Sequence, residues 1–365
     1  MAHRIDLTAS VTFRAGLAEL PHRIVPTPGA ELSQLATNES PFGPLPSVAE
    51  SIAREIPHVN RYPDDGADAL VAALGRWLAV PESHVVVGAG SLGLLRQLFT
   101  VLGEPGVDVV IPWRSFDAYP RLITLSGAMP NQVPLRAGAN DLGAMLARIT
   151  GRTRAVIVCN PNNPTGPAVD PRALLEFLDD VPPSVLVILD EAYHEYASGR
   201  TADGLDLYRD RPNVAVLRTF SKAYGLAALR VGYLVAHEPV AAVVRKAHVT
   251  YEVGRLAQVA ALACISAGDE LLRRVATTVA ERDRVRAELL AAGWRVPPSE
   301  GNFLWLPLAD AAQRFAVHSA ARGVAVKSFV GEGVRATIGT PAQNAALLDA
   351  AVGFATTHTP DHSSF

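Results

Sequence analysis

Lysine is nearly missing from this chain: of 33 lysine and arginine residues among 365, only Lys222, Lys246 and Lys327 are lysine. Any chemistry that needs a primary side-chain amine therefore has three candidates. Cysteine is equally scarce. Cys159 and Cys264 stand far apart, too few for a disulfide framework or a zinc site, so no metal is expected. There is no strong excess of either charge; a net charge of −3 gives no reason to expect a nucleic-acid or membrane partner. No run of about 18 apolar residues occurs. The N-terminal MAHRIDLTASVTFRAGL lacks an apolar signal core, so a cytoplasmic protein is expected. The tail THTPDHSSF reads as frayed.

What is present points to a sizeable core. Hydrophobic residues make up 49% of the chain, and the length suits one large domain or two coupled ones. Short apolar runs rich in β-branched residues, HVVVGA, DVVIPW, RAVIVCN, SVLVILDEA, NVAVLRTFS and LRVGYLVA, alternate with helical patterns over roughly residues 45–240. Continuous rather than alternating apolar runs suit a sheet covered on both faces. The pattern predicts an α/β fold with a mainly parallel central sheet. Helices are expected at SLGLLRQLFTVLG and DPRALLEFLDDV, the latter with Asp170 as N-cap and Pro171 in its first turn. Beyond about residue 240 the long helical DELLRRVATTVAERDRVRAELLAAG precedes strand-like NFLWLPL, VAVKSF and GVRATIG, predicting a smaller α+β domain. The expected division is an N-terminal arm over 1–44 that contributes to the small domain, a large domain over 45–244, and a small domain over 245–365.

Four stretches carry chemistry. Residues 88–93 read GAGSLG, which fits the glycine pattern of a dinucleotide loop. In such folds an acidic residue ends the second strand about 20 residues on. Asp108 has the spacing but precedes its strand, so the match to a nicotinamide site is weak. Glycines before a helix still expose backbone N–H groups at a positive dipole end, which suits any phosphate. Lys222 follows a strand in a Ser-Lys-Ala-Tyr-Gly turn, with Arg230 eight residues on. A partly desolvated lysine near arginine has a lowered pKa and can form a Schiff base with a carbonyl. CNPNNPTG presents Asn163 in a turn stiffened by Pro161 and Pro164. LDEAYHEY puts Asp190 at a strand end and Tyr193 three residues on. Each alone also reads as a surface turn or a helix cap. Together, at successive strand ends, they supply what pyridoxal phosphate needs: an amine for its aldehyde, a carboxylate for its ring nitrogen, donors for its phenolic oxygen and an anion cradle.

From ATNESPFG through RYPDDG, NPNNPTG, DEAYHEY, RTFSKAYGLAALRVGY and SEGNFLWL to VRATIG, the chain resembles the fold type I, class I/II aminotransferases. Within them it looks most like the histidinol-phosphate and aromatic aminotransferase branch. The resemblance implies pyridoxal 5'-phosphate as cofactor, with Lys222 bonded to it as a Schiff base. It implies Asp190 on the ring nitrogen, Asn163 and Tyr193 on the phenolate oxygen, and Phe116 stacked on the ring. Ala89, Gly90, Ser91, Ser221 and Arg230 would hold the phosphate, with Tyr62 reaching it from the partner subunit of a homodimer. Arg335 would clamp the substrate carboxylate, and Asn38 would line the substrate side.

The chain departs from this branch at Gly90-Ser91, where relatives usually carry an acidic residue. It departs again at Arg23, where they carry a tyrosine, at Glu252 in TYEVGRLAQ, where they carry a small polar stretch, and at Lys327, where they carry arginine. Arg23, Glu252 and Lys327 are expected on the substrate side. A carboxylate from Glu252 would repel a substrate phosphate and favour a basic or guanidino amino acid; an Arg23–Glu252 pair would leave a neutral pocket for an aromatic one. Histidinol phosphate is expected to be a poor substrate. The competing readings are another pyridoxal-phosphate reaction on the same fold (decarboxylation, oxidation or elimination), a nicotinamide-dependent oxidoreductase, and a binding protein without catalysis.

Overall fold

The computed structural model describes residues 32–355 apart from Ser198 and Arg200. Eleven strands form two sheets. The strands are β1 (Ser33–Leu35), β2 (Val85–Gly88), β3 (Asp108–Trp113), β4 (Met129–Pro134), β5 (Thr153–Cys159), β6 (Leu186–Asp190), β7 (Val214–Thr219), β8 (Gly232–Ala236), β9 (Phe303–Ala309), β10 (Val324–Phe329) and β11 (Glu332–Thr337).

The large sheet has the order β2-β8-β7-β6-β5-β3-β4. Its pairs are parallel from β7 to β4, whereas β8 runs antiparallel to both β7 and β2. The central strands β5, β6 and β7 are buried almost throughout. Separate apolar clusters cover the two faces, which is why these strands read as unbroken apolar runs. The helix Pro171–Asp180 begins as its sequence predicts: the Asp170 carboxylate accepts from Arg172 N at 2.9 Å and Ala173 N at 3.0 Å.

The smaller sheet has the order β1-β10-β11-β9, with β1 parallel to β10 and the other pairs antiparallel. The arm thus carries a strand of the small sheet. The apolar cores divide later in the chain than residue 244. Ala257, Ala260, Ala261 and Cys264 of the helix Arg255–Ser266, and Leu271 and Val275 of the helix Gly268–Ala291, pack into the large core. The small core takes up Val285 and Leu289 of that last helix. Among the described residues, no helix is long and apolar enough to cross a membrane.

Candidate active site

In an open α/β sheet the strand ends on one side of a topological switch point converge on a cleft. Here β5, β6 and β7 end at Cys159, Asp190 and Thr219, and the loops beyond them deliver Asn163, Tyr193, Ser221 and Lys222 into one cavity of about 330 Å³. Ser91, Phe116 and Arg230 line the same cavity, as do Lys327 and Arg335 from the small sheet.

Lys222 sits on the floor. Its Nζ donates to Thr37 O at 3.0 Å and lies 6.0 Å from the Tyr193 ring centroid. Burial, with the Arg335 and Arg230 guanidiniums adding to it, pushes the Lys222 ammonium down to about 8. A neutral amine is then available about two pH units lower than for an ordinary lysine, which suits a nucleophile toward a carbonyl.

Asp190 lies deeper. Its Oδ2 accepts from the Tyr119 hydroxyl at 2.6 Å and its Oδ1 from Ala192 N at 3.3 Å. Burial nonetheless raises this carboxyl to about 6, against the lowering effect of those two donors. Among the described residues no cationic side chain pairs with it, so a cationic ring nitrogen in the cleft would complete its surroundings.

A candidate anion cradle shows in the backbone. The helix Gly90–Leu102 begins at the cleft, and Gly90 has φ +72°. A Cβ at Gly90 would come 2.5 Å from Arg230 Nη2, so the guanidinium lies against the loop only because the residue is glycine. Arg230 Nη1 also donates to Ser221 Oγ at 3.0 Å and Ala227 O at 2.8 Å. Beneath the loop, a Cβ at Gly232 would lie 2.9 Å from Ser91 N. Helix N-terminus, serine hydroxyl and guanidinium thus converge, as an anion requires.

Arg335 is buried, with Nη1 donating to Asn163 Oδ1 and Nη2 to Ala36 O. Its Nε is buried with no partner among the described residues. A buried guanidinium N–H without an acceptor is costly, and a carboxylate arriving in the cleft would satisfy it. Tyr193 OH accepts from Asn38 Nδ2 at 2.9 Å, and burial raises the phenol to about 12, so it is a donor at neutral pH.

Two expected positions, those of Glu252 and Asn38, differ. Glu252 does not line the cleft. It is held by Gln97 on the cradle helix and by His248 Nδ1 at 3.0 Å, and His248 in turn reaches Asp65 at 3.0 Å. Its charge is engaged behind the cradle, so it gives no support to a basic substrate. Asn38 is fully buried behind Tyr193, bonded to Thr337 Oγ1 at 3.0 Å as well as to the phenol, and so orients the tyrosine rather than lining the substrate side. Tyr62 is 75% exposed outside this cleft, stacked on Tyr251 with centroids 4.3 Å apart. Arg23 lies outside the described residues.

Tyr119 escaped the sequence reading because a tyrosine on an amphipathic helix reads as core. Its place three residues after Phe116 was the available signal. Among the described residues one group, Glu191, His194 and Asp203, has ligand atoms close enough for a metal ion. The Arg218 guanidinium already sits there, with Nη2 2.8 Å from Glu191 and 2.5 Å from Asp203.

Residues 30–350 match the family described as aminotransferase class I and II. An aromatic amino acid aminotransferase of Thermobifida fusca is 57% identical over 332 residues, 91% of this chain and 92% of that protein. One of Mycobacterium tuberculosis is 50% identical over 325 residues, 88% and 91% of the two chains. The crystal structure of histidinol-phosphate aminotransferase from Sinorhizobium meliloti in complex with pyridoxal-5'-phosphate superimposes with a TM-score of 0.83 at 27% identity, covering 89% and 91%.

Proposed function

The chain belongs to the class I and II aminotransferases and is a pyridoxal-phosphate-dependent transaminase, and we propose that its amino donors are aromatic amino acids. The observation that carries this reading is the outer cleft. Phe116, Phe329 and Leu92 line it, and the one carboxylate expected to favour basic side chains, Glu252, is turned away. The names of the two relatives described above support it.

When bound, pyridoxal phosphate supplies an aldehyde that takes up the amino group and a ring that accepts an electron pair. The chain's own residues do the rest. Gly90, Ser91, Ser221 and Arg230 would bind the phosphate, and Asp190 would hold a proton on the ring nitrogen. Tyr193 and Asn163 Nδ2 would donate to the ring oxygen. The Arg335 fork fixes the α-carboxylate, which sets the orientation of the bonds at Cα. Lys222 Nζ would take the α-proton of the bound amino acid and hold it for return.

With 2-oxoglutarate as acceptor, kcat/KM for phenylalanine and tyrosine should exceed that for arginine and for histidinol phosphate by at least about tenfold, one apolar side chain's worth of binding. Equal or better turnover of arginine or histidinol phosphate rejects the reading.

The active unit is a homodimer in which Tyr62 reaches the neighbour's phosphate. Val59 and Tyr62 are 60% and 75% exposed in a groove shared with Tyr251, Leu229 and Arg255. A second copy over this face would cover them, burying more than about 2,000 Å² if the interface is obligate. Sedimentation should give a dimer at micromolar concentration; an active monomer would contradict this.

A further inference from the structure

The outer wall of the cleft holds two opposite charges whose arrangement bears on substrate choice. Lys327 and Arg335 are directly opposite in the β10–β11 register, so both side chains leave the same face of the hairpin toward the cleft. Two cations placed opposite each other repel. Asp117 answers both. Its Oδ2 lies 3.6 Å from Lys327 Nζ, and its field helps to keep Arg335 protonated. Arg114 Nη1 also donates to Asp117 Oδ1, at 3.4 Å, but Arg114 does not line the cleft, and its Nε donates to both Glu332 oxygens, at 2.9 and 3.0 Å.

The other ionic groups lining the cleft face the cofactor or the α-carboxylate, namely Lys222, Asp190, Arg230 and Arg335. The remaining ionic groups of the lining are Asp117 and Lys327, which pair with each other, with Lys327 Nζ 5.6 Å from the Phe329 ring centroid. An aromatic side chain meets a wall with no net charge. A side chain ending in an anion must compete with Asp117 for Lys327.

We propose that Asp117 is a specificity-determining residue: by holding Lys327, it lowers the affinity of the site for side chains that end in an anion. This rests on the aromatic reading only in taking the outer cleft as the side-chain pocket. The effect of Asp117 on Arg335 is common to every amino acid and cancels in a ratio of two. Both partners of the pair are 46% exposed, so the pair adds little to folding and Asp117→Asn should fold.

The experiment measures, on the holoenzyme, dissociation constants for glutarate and 3-phenylpropionate and kcat/KM for glutamate and phenylalanine. The proteins are the parent, Asp117→Asn, Lys327→Met and the double variant. In Asp117→Asn both anion-to-aromatic ratios should rise about two- to fivefold, the upper range for one half-exposed ion pair. The double variant should lose that rise, because Lys327 is the group released. Ratios that stay level or fall in Asp117→Asn, or a rise that persists in the double variant, overturn the proposal. A parent that turns over phenylalanine no better than arginine or histidinol phosphate would instead count against the aromatic reading, since the shift between variants is scored without reference to it.

Discussion

Lys222→Ala is expected to lower transaminase turnover at least about 10⁴-fold, the upper range for loss of a positioned acid–base group, while the fold persists. The change removes both the amine that bonds the cofactor and the group that moves the α-proton. Neither remaining lysine can substitute: Lys327 is held by Asp117 on the outer wall, and Lys246 caps the helix Glu238–Arg245 and does not line the cleft. The Lys222 side chain reaches into a cavity and bonds one backbone carbonyl, so its loss leaves the apolar cores untouched. Borohydride should then attach no cofactor to the chain, whereas the parent should be labelled at Lys222. Covalent labelling of the variant, or turnover within a hundredfold of the parent, would refute the assignment.

Asp190→Asn should lower kcat by about 10²–10⁴-fold at saturating cofactor, corresponding to the 3–5 kcal/mol typical of breaking a buried charge pair. The amide keeps the shape of the carboxylate, and its oxygen still accepts from Tyr119, so packing and the phosphate cradle survive. What is lost is the negative charge that keeps a ring nitrogen protonated. Cofactor binding measured by equilibrium dialysis should weaken far less than kcat falls. Near-normal turnover would show that this carboxylate is not the ring's partner.

The sequence revealed the central sheet because its strands are buried on both faces and read as continuous apolar runs. It concealed β4, where MPNQVP carries two prolines and lies at the exposed edge of the sheet, and β1, a three-residue strand inside an apparently patternless arm. Lys222, Asn163 and Tyr193 were legible in local motifs just past a strand, Asp190 at a strand end and Arg230 just before one, and the structure gathers all five at one cleft. Glu252 and Asn38 were misplaced for the converse reason. Their positions are fixed by partners 155 residues away, Gln97 and Tyr193 respectively, and no local pattern announces such a bond. Asp117 and Tyr119 went unassigned because a charged residue beside a helix start and a tyrosine on its inner face have ordinary readings. Only the tertiary neighbours Lys327 and Asp190 give them a role.

The pairing of Ser33–Leu35 with Val324–Val326 joins nearly the two ends of the described chain. The residues directly after that first strand close the cleft: Ala36 and Thr37 offer carbonyls to Arg335 and Lys222, and Asn38 holds Tyr193. During synthesis the large sheet has all its strands once Ala236 has emerged, while the strand at residue 33 still awaits its neighbour. Contacts of such sequence separation are the slow ones to form, because a long loop must close before they contribute. The cleft is therefore the late-maturing part of the molecule, and a nascent chain that stops short of Phe329 has a complete large sheet but an unfinished binding site.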